Sequence, residues 1–296
     1  MPNRARADAT GNGHDGTFHG DAATTPGGRF GRAFTFDGSG DYLQIGDTLD
    51  LGDSDFTLSV WLQGDPAMDP WGRILDKGFA SGYALGRRAG TEAIGFEFLA
   101  SGSQGNNFAT DSALVDGDWH HVALVKAGNT VSLYADGTLE NSQTVSGAAQ
   151  DNALPLLIGY NPGQGALGFW KGQLDELKIF GRALLSAEIA ALANPLLGDY
   201  NNNGVVDAAD YTVWRDNLGA PAGTLPNDAD GGVIGPAQYA TWKANFGSAA
   251  GGGAAAHSAP GDSAEANYAV PEPGAWLLAL GGTLGMVLLT LRKTTT

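Results

Sequence analysis

Phe56-Thr57-Leu58-Ser59-Val60-Trp61-Leu62 alternates so strictly that an extended strand sorts it cleanly: Phe56, Leu58, Val60 and Leu62 share one face, and Thr57, Ser59 and Trp61 the other. The same rhythm returns in Tyr42–Ile45, Tyr83–Gly86, Ile94–Leu99, His120–Lys126, Val131–Ala135 and Leu174–Phe180, with Gly, Asp and Asn between the runs. Asp136-Gly137 separates two such runs, and both residues tolerate the positive φ of a two-residue hairpin. With 46 glycines and few long helical patterns, the stretch from Phe34 to Phe180 predicts two packed antiparallel sheets. A short helix is predicted over Ser186–Ala193, with Ser186 as N-cap and Glu188 in its first turn.

Four segments carry a family resemblance: Ala7-Asp8-Ala9-Thr10-Gly11-Asn12-Gly13, Gly31-Arg32-Ala33-Phe34-Thr35-Phe36-Asp37-Gly38, Asp118-Trp119-His120-His121-Val122-Ala123, and Gly172–Phe180 continued by Arg182-Ala183-Leu184 and Ser186. They resemble the LamG-like, concanavalin A-like jelly roll over residues 7–194, which implies a first domain at 1–197. That family opens with an aromatic-rich strand before the Asp-x-x-Gly-Asn-Gly turn, and this chain starts at about the turn. The first strand is therefore expected to be missing, leaving an open sheet edge. Met1 to Gly20 also lacks the apolar stretch of a signal peptide, so an upstream start is expected.

Jelly-roll glucanases carry their acids as Glu-x-Asp-x-x-Glu on one strand, and no such string occurs here. Asp175 and Glu176 are adjacent, so on a regular strand they face opposite sides. His120 and His121 read as strand residues beside a core Trp119. The resemblance implies, for some relatives, a structural calcium site, here Asp8, Asn12 and Asp175; turn capping by Asp8 and Asn12 is the alternative. Trp61 lies off the core face, where it either stacks on a sugar ring or packs at a sheet edge.

Asp199-Tyr200-Asn201-Asn202-Asn203-Gly204-Val205-Val206-Asp207-Ala208-Ala209-Asp210 is the sharpest chemical motif. Oxygen side chains fall at loop positions 1, 3, 5, 9 and 12, with glycine at position 6. That spacing folds a chain around Ca²⁺, with Asp199, Asn201, Asn203, the Val205 carbonyl and Asp210 as ligands and Asp207 acting through a water. A helix follows, then a second copy: Tyr211-x-x-Trp214 and Asn217-Leu218-Gly219 recur 28 residues later as Tyr239-x-x-Trp242 and Asn245-Phe246-Gly247. Tyr, Trp and Leu or Phe at i, i+3 and i+7 form one apolar stripe, so the two helices should pack together.

In the second loop the ligand positions are Asn227, Ala229, Gly231 and Gln238, with Asp228 and Asp230 out of phase. Calcium there requires a loop rebuilt around those two aspartates. The duplication, residues 198–248, resembles dockerin type I modules. Dockerins that dock on cohesin carry Ser or Thr at loop positions 10 and 11; here stand Ala208-Ala209 and Pro236-Ala237, which argues against a cohesin partner.

Residues 249–269 are rich in Ala, Gly and Ser and read as a flexible tether. Then come Pro271-Glu272-Pro273, an uncharged run from Ala275 to Leu291, and Arg292-Lys293. A helix over that run reaches about 25 Å against a ~30 Å hydrocarbon core. Residues 270–296 resemble the PEP C-terminal sorting signal, which implies a membrane helix at 275–291, cleavage near the tripeptide by an exosortase-type enzyme, and export.

Net charge of −16 argues against nucleic acid and anionic membrane surfaces, and the absence of cysteine removes disulfides, metal thiolates and a Cys nucleophile. The expected fold class is mainly β: a concanavalin A-like jelly-roll sandwich, a small α-helical dockerin-like module with EF-hand-type loops, and a C-terminal membrane helix. The expected function is an exported, non-catalytic envelope or matrix protein that binds a glycan or matrix polysaccharide and takes calcium as its cofactor. The alternatives are a docking component of a polysaccharide-degrading assembly and a fragment of a larger glycan-active enzyme.

Overall fold

The computed structural model describes residues 5–6, 11–78, 82–99, 106–145, 152–249 and 288–290. Two antiparallel sheets face each other. The first contains β1 (Ala5–Arg6), β2 (Gly16–His19), β5 (Tyr42–Ile45), β7 (Arg73–Lys77), β8 (Gly82–Arg87), β9 (Ile94–Leu99), β10 (Asn106–Ala109) and β14 (Leu156–Ile158), in the order β1-β2-β5-β14-β7-β8-β9-β10. The second contains β3 (Ala23–Pro26), β4 (Arg32–Asp37), β6 (Phe56–Gly64), β11 (Trp119–Ala127), β12 (Thr130–Ala135), β13 (Thr138–Thr144) and β15 (Lys171–Phe180), in the order β13-β12-β11-β6-β15-β4-β3. Phe34, Phe56, Leu58, Val60, Leu62, Leu85, Phe96, Val122, Leu124, Leu174 and Ile179 fill the space between them.

The alternation read from the sequence thus sorts as expected. Asp136 and Gly137, at φ 47° and 83°, make the β12–β13 hairpin. Strand β7 alternates too weakly to be read, because all five of its residues, Arg73 and Lys77 among them, are buried.

Strand β15 departs from regularity. Glu176 and Leu177 together oppose Val60 of β6, because the register steps from Asp175↔Trp61 to Lys178↔Ser59. Glu176 takes φ 49° to make this bulge, and its amide donates to Asp175 Oδ1 at 2.8 Å. Leu174 and Leu177 then both enter the core, so a spacing of three replaces the spacing of two. The sequence reading of strict alternation at Asp175 and Glu176 is corrected here; the phase slip Leu174-x-x-Leu177-x-Ile179 was its visible sign.

Past the bulge, β15 has a free edge. Strand β4 pairs only with Lys171–Leu174, and the stretch Lys178–Phe180 receives β16 (Leu288–Thr290) instead, in the register Lys178↔Thr290, Ile179↔Leu289 and Phe180↔Leu288. This corrects the membrane helix expected over 275–291 at those three residues; the rest of that segment, with Pro271, Glu272 and Pro273, lies outside the described residues. Gly281, Gly282 and Gly285 weaken a helix, whereas an unpaired edge supplies backbone partners directly. Among the described residues no helix is long and apolar enough to cross a membrane.

The two N-terminal strands β1 and β2 form one edge of the first sheet, where Ala5 and Arg6 pair with Thr17 and Gly16. Helix α1 (Ser186–Ala193) packs Ile189 on the outer face of the second sheet, against Ala123, Val125 and Tyr134. Ser186 is its first residue, not its N-cap; Leu185 is, and Glu188 accepts the Leu185 N–H at 2.8 Å. Arg182 holds the Glu188 carboxyl down at about 2, helped by that N–H.

Because the chain has no cysteine, the β15–β16 register is directly testable. Lys178→Cys with Thr290→Cys should form an intramolecular disulfide on mild oxidation of the unprocessed chain, and Lys178→Cys with Thr296→Cys should not. Equal cross-linking of both pairs, read by mass, contradicts the pairing.

Candidate functional site

Residues 198–248 build their loops from short side chains that cap their own backbone. Asp199 Oδ1 accepts from Asn203 N at 3.0 Å and Oδ2 from Gly204 N at 2.8 Å. Asn201 Oδ1 accepts from Asn203 N at 2.9 Å, and Asn203 Oδ1 from Val205 N at 2.9 Å. Asp210 Oδ1 accepts from Asn201 N at 3.0 Å, and Oδ2 from Asp207 N at 2.8 Å. Gly204 makes the sharp turn at φ 86°. Asp207 caps helix α2 (Ala208–Asp216) through Ala209 N at 2.7 Å, which sets it back from the other carboxylates in role.

Asp199 and Asp210 are 2% and 0% exposed, yet among the described residues no lysine, arginine or histidine forms an ion pair with either. Two buried carboxylates in an all-oxygen loop fit a divalent cation. Asp199, Asn201, Asn203, Asp210 and the Val205 carbonyl would hold calcium, whose charge would neutralise the pair and rigidify the loop.

The second loop is closed differently. Asp228 Oδ1 accepts from Asp230 N at 3.0 Å, and the Gln238 amide donates to both Asp228 oxygens and to the Gly231 carbonyl. Burial raises the Asp228 carboxyl above its ordinary range. Asp230 instead accepts from Thr241 Oγ1 at 2.7 Å.

The two copies interlock. Trp214 Nε1 donates to Gly235 O at 2.9 Å and Trp242 Nε1 to Asp207 O at 2.8 Å, so each helix is tied to the N-cap carbonyl of the other. Gly219 N to Ile234 O and Gly247 N to Val206 O repeat the pattern at the 28-residue offset. Tyr211, Trp214, Tyr239 and Trp242 pack between α2 and α3 (Pro236–Asn245), with Trp214 and Tyr239 centroids 5.0 Å apart. Leu218 and Phe246, expected on that stripe, are 52% and 47% exposed instead, because each follows its helix's last turn.

In the sandwich, Trp61 is not an open platform. It faces outward as expected, but Arg29 lies 4.6 Å over its ring and Phe30 meets it edge-on at 5.8 Å, leaving it 6% exposed. Asp175 holds that cover in place: fully buried, it accepts from Phe30 N at 3.0 Å. Asp8 lies outside the described residues, and Asn12 is exposed in the turn before β2. Among the described residues, the carboxylates that converge in the sandwich are those of Asp21, Asp37 and Asp41; Asp41 staples two turns by accepting from Asp21 N and Asp37 N.

His121, beside Trp61, is fully buried and shares a 2.9 Å hydrogen bond with Ser59 Oγ. Burial pushes its pKa down to about 4, Asp136 opposing and Lys178 assisting. His120 points outward between Asp136 and Asp116; burial lowers its pKa, but the two carboxylates outweigh that and hold it above the ordinary value. Trp119 is half-buried, not a core residue.

Sequence reasoning missed an open polar groove of about 530 Å³ where edge strands β10 and β13 of the two sheets meet. Arg88, Thr91, Glu92, Asp111, Asn141 and Gln143 line it. Glu140 shapes one wall by accepting from Asp111 N and Ser112 N at 2.9 and 3.1 Å. Its lining comes from three separated segments, so no local motif marks it.

Residues 37–190, just over half of the chain, match the family described as the concanavalin A-like lectin/glucanases superfamily (Laminin_G_3). Among solved structures, the chain is similar to the binding domain of Paraclostridial Mosquitocidal Protein 1 (TM-score 0.54, 13% identity, covering 69% of this chain and 53% of that one). It is similar to domain 4 of AbnA, a GH43 extracellular arabinanase from Geobacillus stearothermophilus solved with arabinotriose (TM-score 0.51, 20% identity, 63% and 92%). It also resembles the botulinum neurotoxin serotype D binding domain (TM-score 0.52, 13% identity, 68% and 52%). The chain spans about half the length of the two toxin domains. At these identities the likeness establishes the fold. No curated protein matches the chain.

Two measurements check these sites. At calcium a hundredfold above its Kd, binding should stabilise the module by about 2.7 kcal/mol, and Asp199→Ala should abolish that increment in a thermal melt. For His121, the unfolded chain takes up a proton below about 6.5 that the folded chain refuses down to about 4. Stability is therefore lost as pH falls through that window, by about 3 kcal/mol at the acid end. Asp76, whose pKa burial raises to about 6, acts in the opposite direction, so wild type must be compared with His121→Gln. Parallel curves from pH 7 to 4 would contradict the assignment.

Proposed function

The chain belongs to the concanavalin A-like lectin/glucanases superfamily, and from that premise we propose that it is a non-catalytic binding protein of the cell envelope or extracellular matrix. Its sandwich binds a glycan or matrix polysaccharide. Residues 198–248 are a dockerin-like module held by calcium at the first loop. Pro271-Glu272-Pro273 and the apolar run after it are a sorting signal cut by an exosortase-type enzyme, which leaves the protein outside the cell.

The groove between β10 and β13 is the observation that carries the glycan reading. Its volume, about 530 Å³, suits a few sugar rings. A guanidinium, carboxylates, amides and a hydroxyl around an open trough match the hydroxyl-rich surface of a glycan, which offers donors and acceptors in equal measure. The acids of the sandwich support a non-catalytic reading by their employment: Asp175 holds a turn, Glu176 pairs with Lys178 at 2.9 Å, and Asp76 is buried beside Arg73.

A docking role is a second reading with its own observation. Val205, Leu218, Val233 and Phe246 are exposed, and they fall at repeat-equivalent positions, Val205 with Val233 and Leu218 with Phe246. Such duplicated apolar exposure suits a protein partner, although Ala208-Ala209 is not the pair that cohesin-binding dockerins carry.

Affinity electrophoresis of the intact chain through gels of soluble polysaccharides, arabinan among them, tests the glycan reading. Arg88→Ala combined with Gln143→Ala should weaken any retardation about tenfold, an amount equal to about 1.4 kcal/mol. Unchanged retardation moves the site elsewhere. Release of reducing sugar by the unmutated protein overturns the non-catalytic proposal.

A further inference from the structure

We infer that the second loop, residues 227–238, is a metal-free copy of the first in which the side-chain amide of Gln238 stands where a cation would, so that one residue sets the module's metal count. The inference rests on the calcium reading of the first loop for its comparison between copies.

The repeat places Gln238 where Asp210 stands in the first loop. Both side chains cap their helix in the same way: Asp210 Oδ2 accepts from Asp207 N at 2.8 Å, and Gln238 Oε1 from Gly235 N at 2.8 Å. They differ at the second atom. Asp210 Oδ1 is an acceptor with a lone pair to spare beyond its bond from Asn201 N. Gln238 Nε2 is a donor, and three oxygens gather on it: Gly231 O at 2.8 Å, Asp228 Oδ1 at 3.3 Å and Asp228 Oδ2 at 3.4 Å.

A buried site ringed by a carboxylate and a carbonyl is what a divalent cation collects. Here an NH₂ group collects it, in a place where Gln238 and Asp228 are 0% and 1% exposed. Thr241 draws Asp230 toward α3, so the other out-of-phase aspartate serves the helix. Among the described residues the first loop has no such internal donor: the buried Asp199 and Asp210 carboxylates accept from backbone N–H groups. One copy is therefore complete without an ion, and the other is not.

Replacing the amide by a carboxylate turns the donor into an acceptor opposite Asp228, and at neutral pH a divalent cation can then bridge the two. Calcium titration of the intact chain, by calorimetry and by terbium luminescence, should give one equivalent for wild type and two for Gln238→Glu. Asp199→Ala should give none, and the double variant Asp199→Ala/Gln238→Glu should give one. Hydrogen exchange adds a reading that needs no variant: a chelator should open the amides of 199–210 and leave those of 227–238 protected. Two equivalents in wild type, or a second loop that opens with the first, overturns the inference. If wild type binds no calcium while the double variant binds one equivalent, the first-loop reading fails and this one stands.

Discussion

The bulge in β15 is the feature on which most of the sandwich's surface organisation depends. Two residues opposite Val60 cost a left-handed Glu176, and in return Leu174 and Leu177 both reach the core. Asp175, the last regular pair before the bulge, lies on the outer face beneath the turn 27–31. That turn carries Arg29 over Trp61, and at Gly31 its backbone meets Gly223 so closely that an added Cβ would stand 2.8 Å from the Gly223 nitrogen. Strand, cover and helical module are thus linked through one irregularity. Beyond it, β4 no longer follows β15, which is why an edge remains there for β16.

Polar groups are distributed by the same logic of backbone satisfaction. Lys77 and Lys126 are buried to their ammonium groups, and each reaches out to loop oxygens: Lys77 to Asp47, Asn152 O and Leu154 O, Lys126 to Asp53 O and Ser54 O. Glu140 does the same for the turn at Asp111 and Ser112. A sheet protein without disulfides holds its long connections this way, with charge-assisted bonds to groups that would otherwise face the interior unpaired. Of these clamps, the one from Glu140 holds the turn that forms a wall of the groove between β10 and β13.

The helical module makes the opposite choice and relies on duplication. Neither helix buries its aromatic residues alone, so each tryptophan reaches across to the other copy's N-cap carbonyl. Tyr200 adds a tie from the first loop to Gln238 O at 2.6 Å. Symmetry of packing therefore coexists with asymmetry of loop chemistry, because the reciprocal bonds use backbone and indole groups that both copies keep.

Alternation by itself located seven strands and the β12–β13 turn, since a half-buried strand must sort its side chains by parity. Spacing alone located the first loop and the helix pair, because ligand positions and stripe residues are local in sequence. What depends on distant neighbours could not be read that way. Trp61 looked available until Arg29 and Phe30, some thirty residues earlier, were seen to cover it. Asp175 Oδ2 serves the turn before β4, some 145 residues earlier, and no local pattern announces that partner. The groove needs three chain segments, and the role of Gln238 needs to know which way its amide faces. Local periodicity determined the elements and their inward faces; tertiary packing decided which outward-facing groups are covered, paired or open, because those depend on contacts that no local pattern encodes.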